Sequence, residues 1–355
     1  MKIGICTGGG DCPGLNAVIR SAVKYAHHKN IEVIGIKDSF NGLMDRPYGV
    51  STLTPDSVTD ILFKGGTIIG TTNSGNPFSL KNSDSNQPYD KSNLVLEAYR
   101  DLGLDCLVVI GGDGTQGIAY QLSKLGINVI GVPKTIDNDL AATDQTVGFD
   151  SALQVASDAA FRLQSTAESH DRVMILEVMG RGAGHLALHS GLASGAHIIL
   201  IPEIPFHFSQ IESKIQQRQK KGRGYSVIVV AEGAMEVNAT ATYSKNPSGS
   251  HNLGGIGHLV GQRIYDSLNI ETRVTVLGHT QRGGTPSAVD RVLGSAYGVY
   301  AIDMVLKKAY GKIVSYQSGG FTEIDYTDVA GSFRPVDPDD IIIHTAEAMG
   351  VCLGR

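Results

Sequence analysis

The sequence predicts an α/β fold built on parallel sheets. Short apolar runs typical of strands alternate with segments in which apolar residues recur every three to four positions, as βαβ units require. The strand-like runs are residues 3–6, 31–36, 106–110, 127–132, 173–178, 197–201, 225–231 and 274–277. The helical segments are residues 15–28, 116–125, 150–168, 183–194, 208–221, 256–268 and 287–309.

The length of the chain indicates two such sheets. At 355 residues and 41% hydrophobic composition, the chain can supply two substantial cores. We place the break between the sheets near residues 138–150.

Composition excludes several classes of partner. The net charge is -5, with acidic and basic residues interspersed, so no basic stripe favours nucleic acid or an anionic membrane surface. The four cysteines include no CxxC pair, which favours reduced thiols. The N-terminal residues read as a strand rather than a signal peptide, and no apolar run of roughly 20 residues is present. We expect a cytoplasmic protein.

The first predicted strand ends in a glycine-rich turn, residues 7–11, and Gly14 precedes the first helix. In such a turn, bare backbone N–H groups and the positive helix end can face a phosphate. Tight α/β turns also use glycine for purely steric reasons. This turn alone therefore leaves both interpretations open.

A second glycine turn, Gly111-Gly112-Asp113-Gly114-Thr115, follows the strand-like run 106–110. Its glycines admit phosphate oxygens, and Asp113 offers the oxygen ligand that Mg²⁺ prefers. An aspartate at a strand-to-helix turn can also be a helix cap. Asp113 is thus a metal candidate with a structural alternative.

The run PKTIDND, residues 133–139, ends the next strand-like run. Asp137, with Thr135 and Asp139 close by, suits a carboxylate that accepts a hydroxyl proton while its neighbours hold the substrate. Lys134 adds a positive charge beside donor phosphates. A polar Asx-turn is the structural alternative.

Further polar residues follow in the second half of the chain, several of them at the ends of apolar runs: Arg172, Met179, Gly180, Arg181, Glu232, Arg273, His279 and Arg282. Guanidinium groups bind phosphate oxygens through paired hydrogen bonds, so these arginines favour a phosphorylated substrate. Each arginine by itself is more typical of a solvated surface residue. His185 and His189 lack an HExxH context, and their apolar neighbours indicate a packed helix rather than a zinc site.

The ordered set TGGGDCPGLN, GGDGT, PKTIDND, MGR, AEGA and LGHTQRGG resembles the 6-phosphofructokinases across most of the chain. PKTIDND with LGHTQRGG separates it from NAD kinases and lipid kinases, which share GGDGT-like runs. The resemblance implies two Rossmann-like parallel-sheet α/β domains with the active site in the cleft between them. It implies a donor domain of residues 1–140 plus about 278–316, and a fructose 6-phosphate domain of residues 141–277 plus about 317–355.

The resemblance also implies roles for the acceptor side of the site. Asp137 would deprotonate the 1-hydroxyl of fructose 6-phosphate, with Thr135 and Asp139 beside it, and Arg181 would stabilise the transferring group. The sugar would contact Met179, Gly180 and Glu232, and its 6-phosphate would contact His279 and Arg282. Arg172 and Arg273 match arginines that reach into the neighbouring subunit's site, so we expect a homo-oligomer, either a dimer or a tetramer.

On the donor side, the resemblance implies that Asp113 holds Mg²⁺. The donor phosphates would lie against Gly10, Asn73, Gly112, Gly114, Thr115 and Lys134.

The markers for the donor disagree. Gly114 leaves space for the α-phosphate of ATP, as in ATP-dependent members, whereas Lys134 resembles the lysine of pyrophosphate users. Asn73 stands where many bacterial ATP enzymes carry an arginine, a charge for which Lys134 can substitute. We expect ATP, because a carboxylate at position 114 would exclude it directly while a lysine tolerates either anion.

Two alternatives stay open. One is pyrophosphate as the donor. The other is a catalytically silent regulatory paralogue, against which the presence of both Asp113 and Asp137 argues.

Overall fold

The computed structural model describes residues 1–80, 88–141, 143–245, 251–329 and 331–355. Contacts divide the chain into two compact units. The first comprises Met1–Ile136, Leu140–Ser151 and Arg282–Phe333; the second comprises Asp137–Asp139, Ala152–Gln281 and Arg334–Arg355. The domain limits inferred from the resemblance stay a prediction.

The elements are as follows, in chain order. The strands are β1 (Lys2–Thr7), β2 (Glu32–Ile36), β3 (Val50–Leu53), β4 (Cys106–Gly111), β5 (Val129–Pro133), β6 (Val173–Val178), β7 (Ile198–Leu200), β8 (Ser226–Ala231), β9 (Tyr243–Lys245), β10 (His251–Leu253), β11 (Thr272–Val276), β12 (Lys312–Gln317) and β13 (Gly320–Asp325). The α-helices are α1 (Leu15–His28), α2 (Ser92–Asp101), α3 (Asp113–Lys124), α4 (Phe149–His170), α5 (His185–Ala193), α6 (Phe208–Lys220), α7 (Ile256–Leu268), α8 (Ala288–Leu306), α9 (Tyr326–Val329) and α10 (Ile341–Ala348). Short 3₁₀ helices cover Ser39–Leu43, Asp56–Val58 and Gly278–Arg282.

The described part of the first unit holds one seven-stranded sheet in the order β13-β12-β5-β4-β1-β2-β3. Its inner strands pair in parallel, and only β3 and β13, at the two edges, run antiparallel. β4 is buried along its whole length, as expected for a central strand covered on both faces. The winding reverses between β1 and β4, the place where α/β sheets bind ligands outside the strand carboxyl ends.

Helices α1 and α8 pack closely in the first unit because glycines line their contact. A Cβ at Gly294 would come within 3.1 Å of Ala17 Cβ, and one at Gly298 would collide with Ser21 and the Val18 carbonyl. Side chains at these two positions would therefore push the helices apart.

The second unit is built on the four-stranded sheet β11-β6-β8-β7, whose neighbours all pair in parallel. β6 and β8 lie in its centre and are buried throughout, whereas β11 is a partly exposed edge strand. Helices α6 and α7 add Phe208, Ile211, Val260 and Ile264 to the apolar core over this sheet. β9 and β10 form a separate antiparallel hairpin.

The predicted α/β class with parallel-dominated sheets is confirmed. In the part of the chain that the structure describes, no helix combines the length and apolar character that a membrane crossing requires.

Candidate active site

The glycine turn after β1 lies at the winding reversal of the first unit. The Gly8 N–H donates to the Ile110 carbonyl at 2.9 Å, and the Gly9 N–H donates to the Thr72 carbonyl at 3.0 Å. Gly9 has φ 77°, a left-handed conformation that favours glycine. The turn is therefore fixed between β4 and the segment that leads to Asn73, whose side chain is exposed.

Lys134 supports this turn. Its side chain is buried, and its Nζ donates to the Gly8 carbonyl at 2.9 Å and to the Gly10 carbonyl. The predicted positive charge is thus present beside the turn, and it is tethered to the backbone carbonyls of the turn.

Arg282 lies on the other side of the same turn. Its Nη1 donates to the Asp11 carbonyl at 3.0 Å, and a Cβ at Gly10 would come within 2.6 Å of that nitrogen. The glycine at position 10 therefore makes room for a guanidinium. The predicted contact of Arg282 with the sugar phosphate stays a prediction.

The second glycine turn joins β4 to α3. Gly112 precedes the helix in an extended conformation, and α3 begins at Asp113, whose side chain is exposed. The Asp113 Oδ1 accepts the Gly331 N–H at 3.1 Å, a bond from outside its own helix. A Cβ built at Gly114 meets no atom of the described residues within 4 Å. Position 114 is therefore open space at the start of a helix.

Thr115 and Thr135 are buried beneath these turns. A Cβ at Gly8 or Gly111 would collide with the Thr115 side chain. The Thr135 carbonyl accepts the Thr146 hydroxyl at 2.7 Å. The first unit thus brings Gly10, Gly112, Asp113, Gly114, Thr115, Lys134, Thr135 and Arg282 to the carboxyl ends of β1, β4 and β5.

The residues fit a magnesium ion held jointly with a phosphorylated ligand. Among the described residues, no group of three or more His, Cys, Asp or Glu could hold a metal ion by itself. Mg²⁺ is usually bound through one or two carboxylates, phosphate oxygens and water rather than by an all-protein cage. An exposed Asp113 beside a glycine turn matches that type of site.

In the second unit, Asp137 and Arg181 face each other. The Asp137 side chain is 4% exposed, the Arg181 side chain is 68% exposed, and Arg181 Nε lies 4.0 Å from Asp137 Oδ2. The pair therefore joins a sheltered carboxylate to a guanidinium that a ligand can reach.

Glu232 holds the Arg181 turn, which follows β6. Arg181 has φ 52°, uncommon for a residue with a side chain. The Glu232 Oε1 accepts the Arg181 N–H at 3.0 Å, and a Cβ at Gly233 would collide with the Arg181 carbonyl. Burial raises the pKa of Glu232, while hydrogen bonds from the Arg181 and Gly180 backbone lower it.

Two further residues, which sequence reasoning missed, fix this region. The buried Gln281 accepts the Met179 N–H on its Oε1 at 2.9 Å, which ties the exposed His279 segment to the Met179 turn. The buried Glu177 accepts the N–H groups of Gly255 and Gly257 at the start of α7, at 2.9 and 2.8 Å. Gln281 lies inside a recognised motif, but only the fold reveals its partner.

Arg172 and Arg273 lie at the opposite edge of the second sheet. Arg172 precedes β6 and Arg273 is the second residue of β11, whereas Met179 follows the carboxyl end of β6. At about 3.3 Å per residue, the seven residue steps from Arg172 to Met179 span about 23 Å along the strand. Arg172 Nε lies 2.6 Å from Glu271 Oε2, and Arg273 pairs with the same carboxylate. One chain therefore does not bring these arginines to Asp137, Met179, Gly180, Arg181, Glu232 and His279.

Known proteins match this chain in sequence over its whole length. The phosphofructokinase family model matches residues 2–305. The ATP-dependent 6-phosphofructokinase of Chloroflexus aurantiacus is 47% identical over 355 residues, which cover 100% of this chain and 98% of that protein. ATP-dependent 6-phosphofructokinase 1 of Synechocystis sp. is 43% identical over 356 residues, with 100% and 98% coverage.

Solved structures agree on the fold. Phosphofructokinase from Saccharomyces cerevisiae superposes with a TM-score of 0.78 at 29% identity, and the match covers 92% of this chain and 45% of the yeast chain. This chain thus spans less than half of that relative. A pyrophosphate-dependent phosphofructokinase from Marinobacter aquaeolei superposes with a TM-score of 0.81 at 22% identity, covering 100% of this chain and 93% of that chain, a likeness of fold alone.

Proposed function

The chain belongs to the phosphofructokinase family, and we propose that it is an ATP-dependent 6-phosphofructokinase. The observation that carries this proposal is the full-length similarity to relatives named for that activity, at 43% and 47% identity. The enzyme transfers the γ-phosphoryl group of ATP to the 1-hydroxyl of fructose 6-phosphate, which yields fructose 1,6-bisphosphate and ADP. The proposal includes a place in glycolysis and the cytoplasmic location that the sequence predicts.

Asp137 is the base in this proposal. As the 1-hydroxyl oxygen attacks the γ-phosphorus, its proton passes to the Asp137 carboxylate, with Thr135 and Asp139 two residues to either side in the chain. The buried position of Asp137 beside Arg181 supports this role, because phosphoryl transfer depends on positioning and charge neutralisation. Arg181 stabilises the transferring group, since its exposed guanidinium is accessible to phosphoryl oxygens.

Asp113 holds Mg²⁺ in this proposal. The bound ion supplies positive charge that neutralises the donor phosphates. Asp113 orients that charge from the first turn of α3, while the N–H groups at the start of this helix face the phosphate oxygens.

ATP is the proposed donor because position 114 is open. A glycine there places neither a side chain nor a negative charge near a nucleotide phosphate. Lys134 is tethered to the glycine turn, where its charge can serve either donor.

In this proposal, the sugar contacts Met179, Gly180 and Glu232. Its 6-phosphate contacts His279 and Arg282. Arg172 and Arg273 complete the site of a neighbouring copy, so the active form is a homo-oligomer, a dimer or a tetramer. Their place at the far edge of the sheet, joined through Glu271, supports this part of the proposal. The hydrogen bond from the Arg172 guanidinium lowers the pKa of Glu271 most, and Arg273 lowers it further.

A donor assay tests the proposed activity. The pure protein is incubated with fructose 6-phosphate, Mg²⁺ and either ATP or pyrophosphate, and fructose 1,6-bisphosphate is quantified. We expect product with ATP and none with pyrophosphate. Product with pyrophosphate alone would replace the donor, and no product with either would favour the regulatory paralogue.

A further inference from the structure

We propose that Arg334 is a positioning residue that holds the backbone of the Asp137 turn in its reactive conformation. The inference rests on the proposed role of Asp137 as the base. Arg334 lies in the C-terminal part of the chain, nearly two hundred residues from that turn, and no sequence motif points to it.

The turn that carries Asp137 needs support. Asn138 has φ 55°, a left-handed conformation that is uncommon for residues with side chains and that asparagine adopts more readily than most of them. Such conformations persist where the surrounding structure over-determines them, and they cluster at active sites. Asn138 is also buried, so its backbone polar groups need partners within the protein.

Arg334 binds two consecutive carbonyls of this turn. Its Nε donates to the Asn138 carbonyl at 3.2 Å, and its backbone N–H donates to the Asp139 carbonyl at 2.8 Å. The first of these bonds has a charged donor, which strengthens it. Together they fix the orientation of the peptide groups that follow Asn138 and Asp139, and hence the path of the turn that presents the base.

Arg334 is itself anchored to a rigid element. Its carbonyl lies 3.2 Å from Nε2 of the buried His185, the first residue of α5. Two residues on, the Val336 N–H donates to Glu203 Oε1 at 2.8 Å, and that carboxylate also accepts the Gly184 N–H at 2.9 Å. The C-terminal segment is thus bonded to the start of α5 at Arg334 itself and, through Glu203, at Val336.

The segment around Arg334 therefore has a role in catalysis as well as a structural role, because it fixes the turn that carries Asp137. A displacement of about 1 Å at a reacting group can cost about a hundredfold in rate. Loss of the Arg334 guanidinium should therefore lower kcat while sparing KM, because Asn138, whose carbonyl the guanidinium binds, is not among the proposed sugar contacts.

The experiment compares three variants with the intact enzyme. Arg334→Ala removes the guanidinium, and Arg334→Lys keeps the charge but places a methylene where Nε was. Arg218→Ala is the matched control, since Arg218 Nε and Nη2 donate to the Tyr225 carbonyl at 3.2 and 3.0 Å within the same unit. For each protein, kcat, KM for fructose 6-phosphate, the melting temperature and rescue by guanidinium chloride are measured.

We expect Arg334→Ala to lose about tenfold to a hundredfold in kcat, with KM for fructose 6-phosphate changed less than about threefold. Millimolar guanidinium should restore part of kcat in Arg334→Ala and none in Arg218→Ala. Should the alanine variant fail to fold, Arg334→Lys is expected to fold and still lose about tenfold in kcat.

Wild-type kcat in either Arg334 variant would overturn the inference. So would a loss of kcat that guanidinium does not restore and that Arg218→Ala reproduces. Asp137→Asn, assayed in parallel, separates this from the proposed mechanism: if Asp137→Asn keeps full turnover, the base assignment fails, whereas an inactive Asp137→Asn beside a fully active Arg334→Ala removes the role of Arg334 alone.

Discussion

Gly114 is the residue at which the choice of donor can be tested. It lies in the first turn of α3, and an added Cβ would meet open space. We predict that Gly114→Asp lowers kcat/KM for ATP by at least about tenfold, because a carboxylate there repels the nucleotide phosphates. Steady-state kinetics with ATP and with pyrophosphate measure the change.

Gly117 offers the matched control for this substitution. It lies in the same helix, and an added Cβ there also meets no described atom within 4 Å. Gly117→Asp carries the same charge change one turn further from the helix start and should leave kcat/KM for ATP nearly unchanged. Equal losses in both variants would contradict a specific role for position 114.

Candidate site residues that lie in a motif could be named from the sequence, whereas the residues that hold them in place could not. Asp113, Asp137 and Arg181 were selected because they follow strand-like runs and lie among glycines and other charged residues. Gln281 and Arg334 act through bonds to backbone atoms far away in the sequence, and no local pattern encodes such partners. Arg172 and Met179 lie at opposite ends of β6, which likewise could be known only from the position of this strand in the fold.

At the scale of elements, the buried parallel strands and the helices between them could be predicted because their apolar runs are nearly continuous. The edge strands β3 and β13 were missed, as was β12 beside β13. β13 is half-exposed over most of its length, and its sequence FTEID mixes polar and apolar residues. α3 begins at Asp113 rather than at residue 116, because its first turn is rich in glycine, which hides the helical pattern.

The contact between α1 and α8 predicts a stability effect. In Gly298→Ala, the new Cβ would collide with Ser21 and the Val18 carbonyl, so we expect the free energy of unfolding to fall by about 1–3 kcal/mol. Urea unfolding followed by circular dichroism measures it. Gly117→Ala is the control: it adds a methyl group in open space and should stabilise α3 by about 0.5–1 kcal/mol. An unchanged midpoint in Gly298→Ala would contradict the close packing.

At the scale of the whole molecule, the buried His185 and the half-buried His197 should make stability depend on pH. Burial lowers the pKa of His185 to about 4, helped by Arg334, and lowers the pKa of His197 to about 4, helped by Arg218. His197 Nδ1 accepts the Val227 N–H at 2.9 Å, a bond that protonation of Nδ1 removes.

Both pKa values lie below the value in the unfolded chain, about 6.5. The stabilisation is therefore complete above about pH 6.5 and is lost as pH falls toward 4, by at most about 1.4 kcal/mol per pH unit for each histidine. Urea unfolding at several pH values measures the slope, and His197→Gln should make it shallower. A slope that is unchanged in this variant would rule out His197 as a source.

Assembly can be tested by mixing two defective chains. If Arg273 serves a neighbour's site, dimers that combine Asp137→Asn with Arg273→Ala contain one site with both defects and one intact site. Co-expression should then recover roughly a quarter of wild-type activity, since half of random dimers are mixed. Each variant expressed alone provides the baseline. No recovery in isolated mixed dimers would place Arg273 in the site of its own chain.

The central claim is that the buried carboxylate of Asp137 accepts the proton of the acceptor hydroxyl. The most direct measurement is kcat of Asp137→Asn with ATP, Mg²⁺ and fructose 6-phosphate, together with the dissociation constant for fructose 6-phosphate. We predict a loss of about a hundredfold to ten-thousandfold in kcat, the range of general-base catalysis, with binding largely kept. Turnover within a few-fold of the wild-type enzyme would contradict the claim.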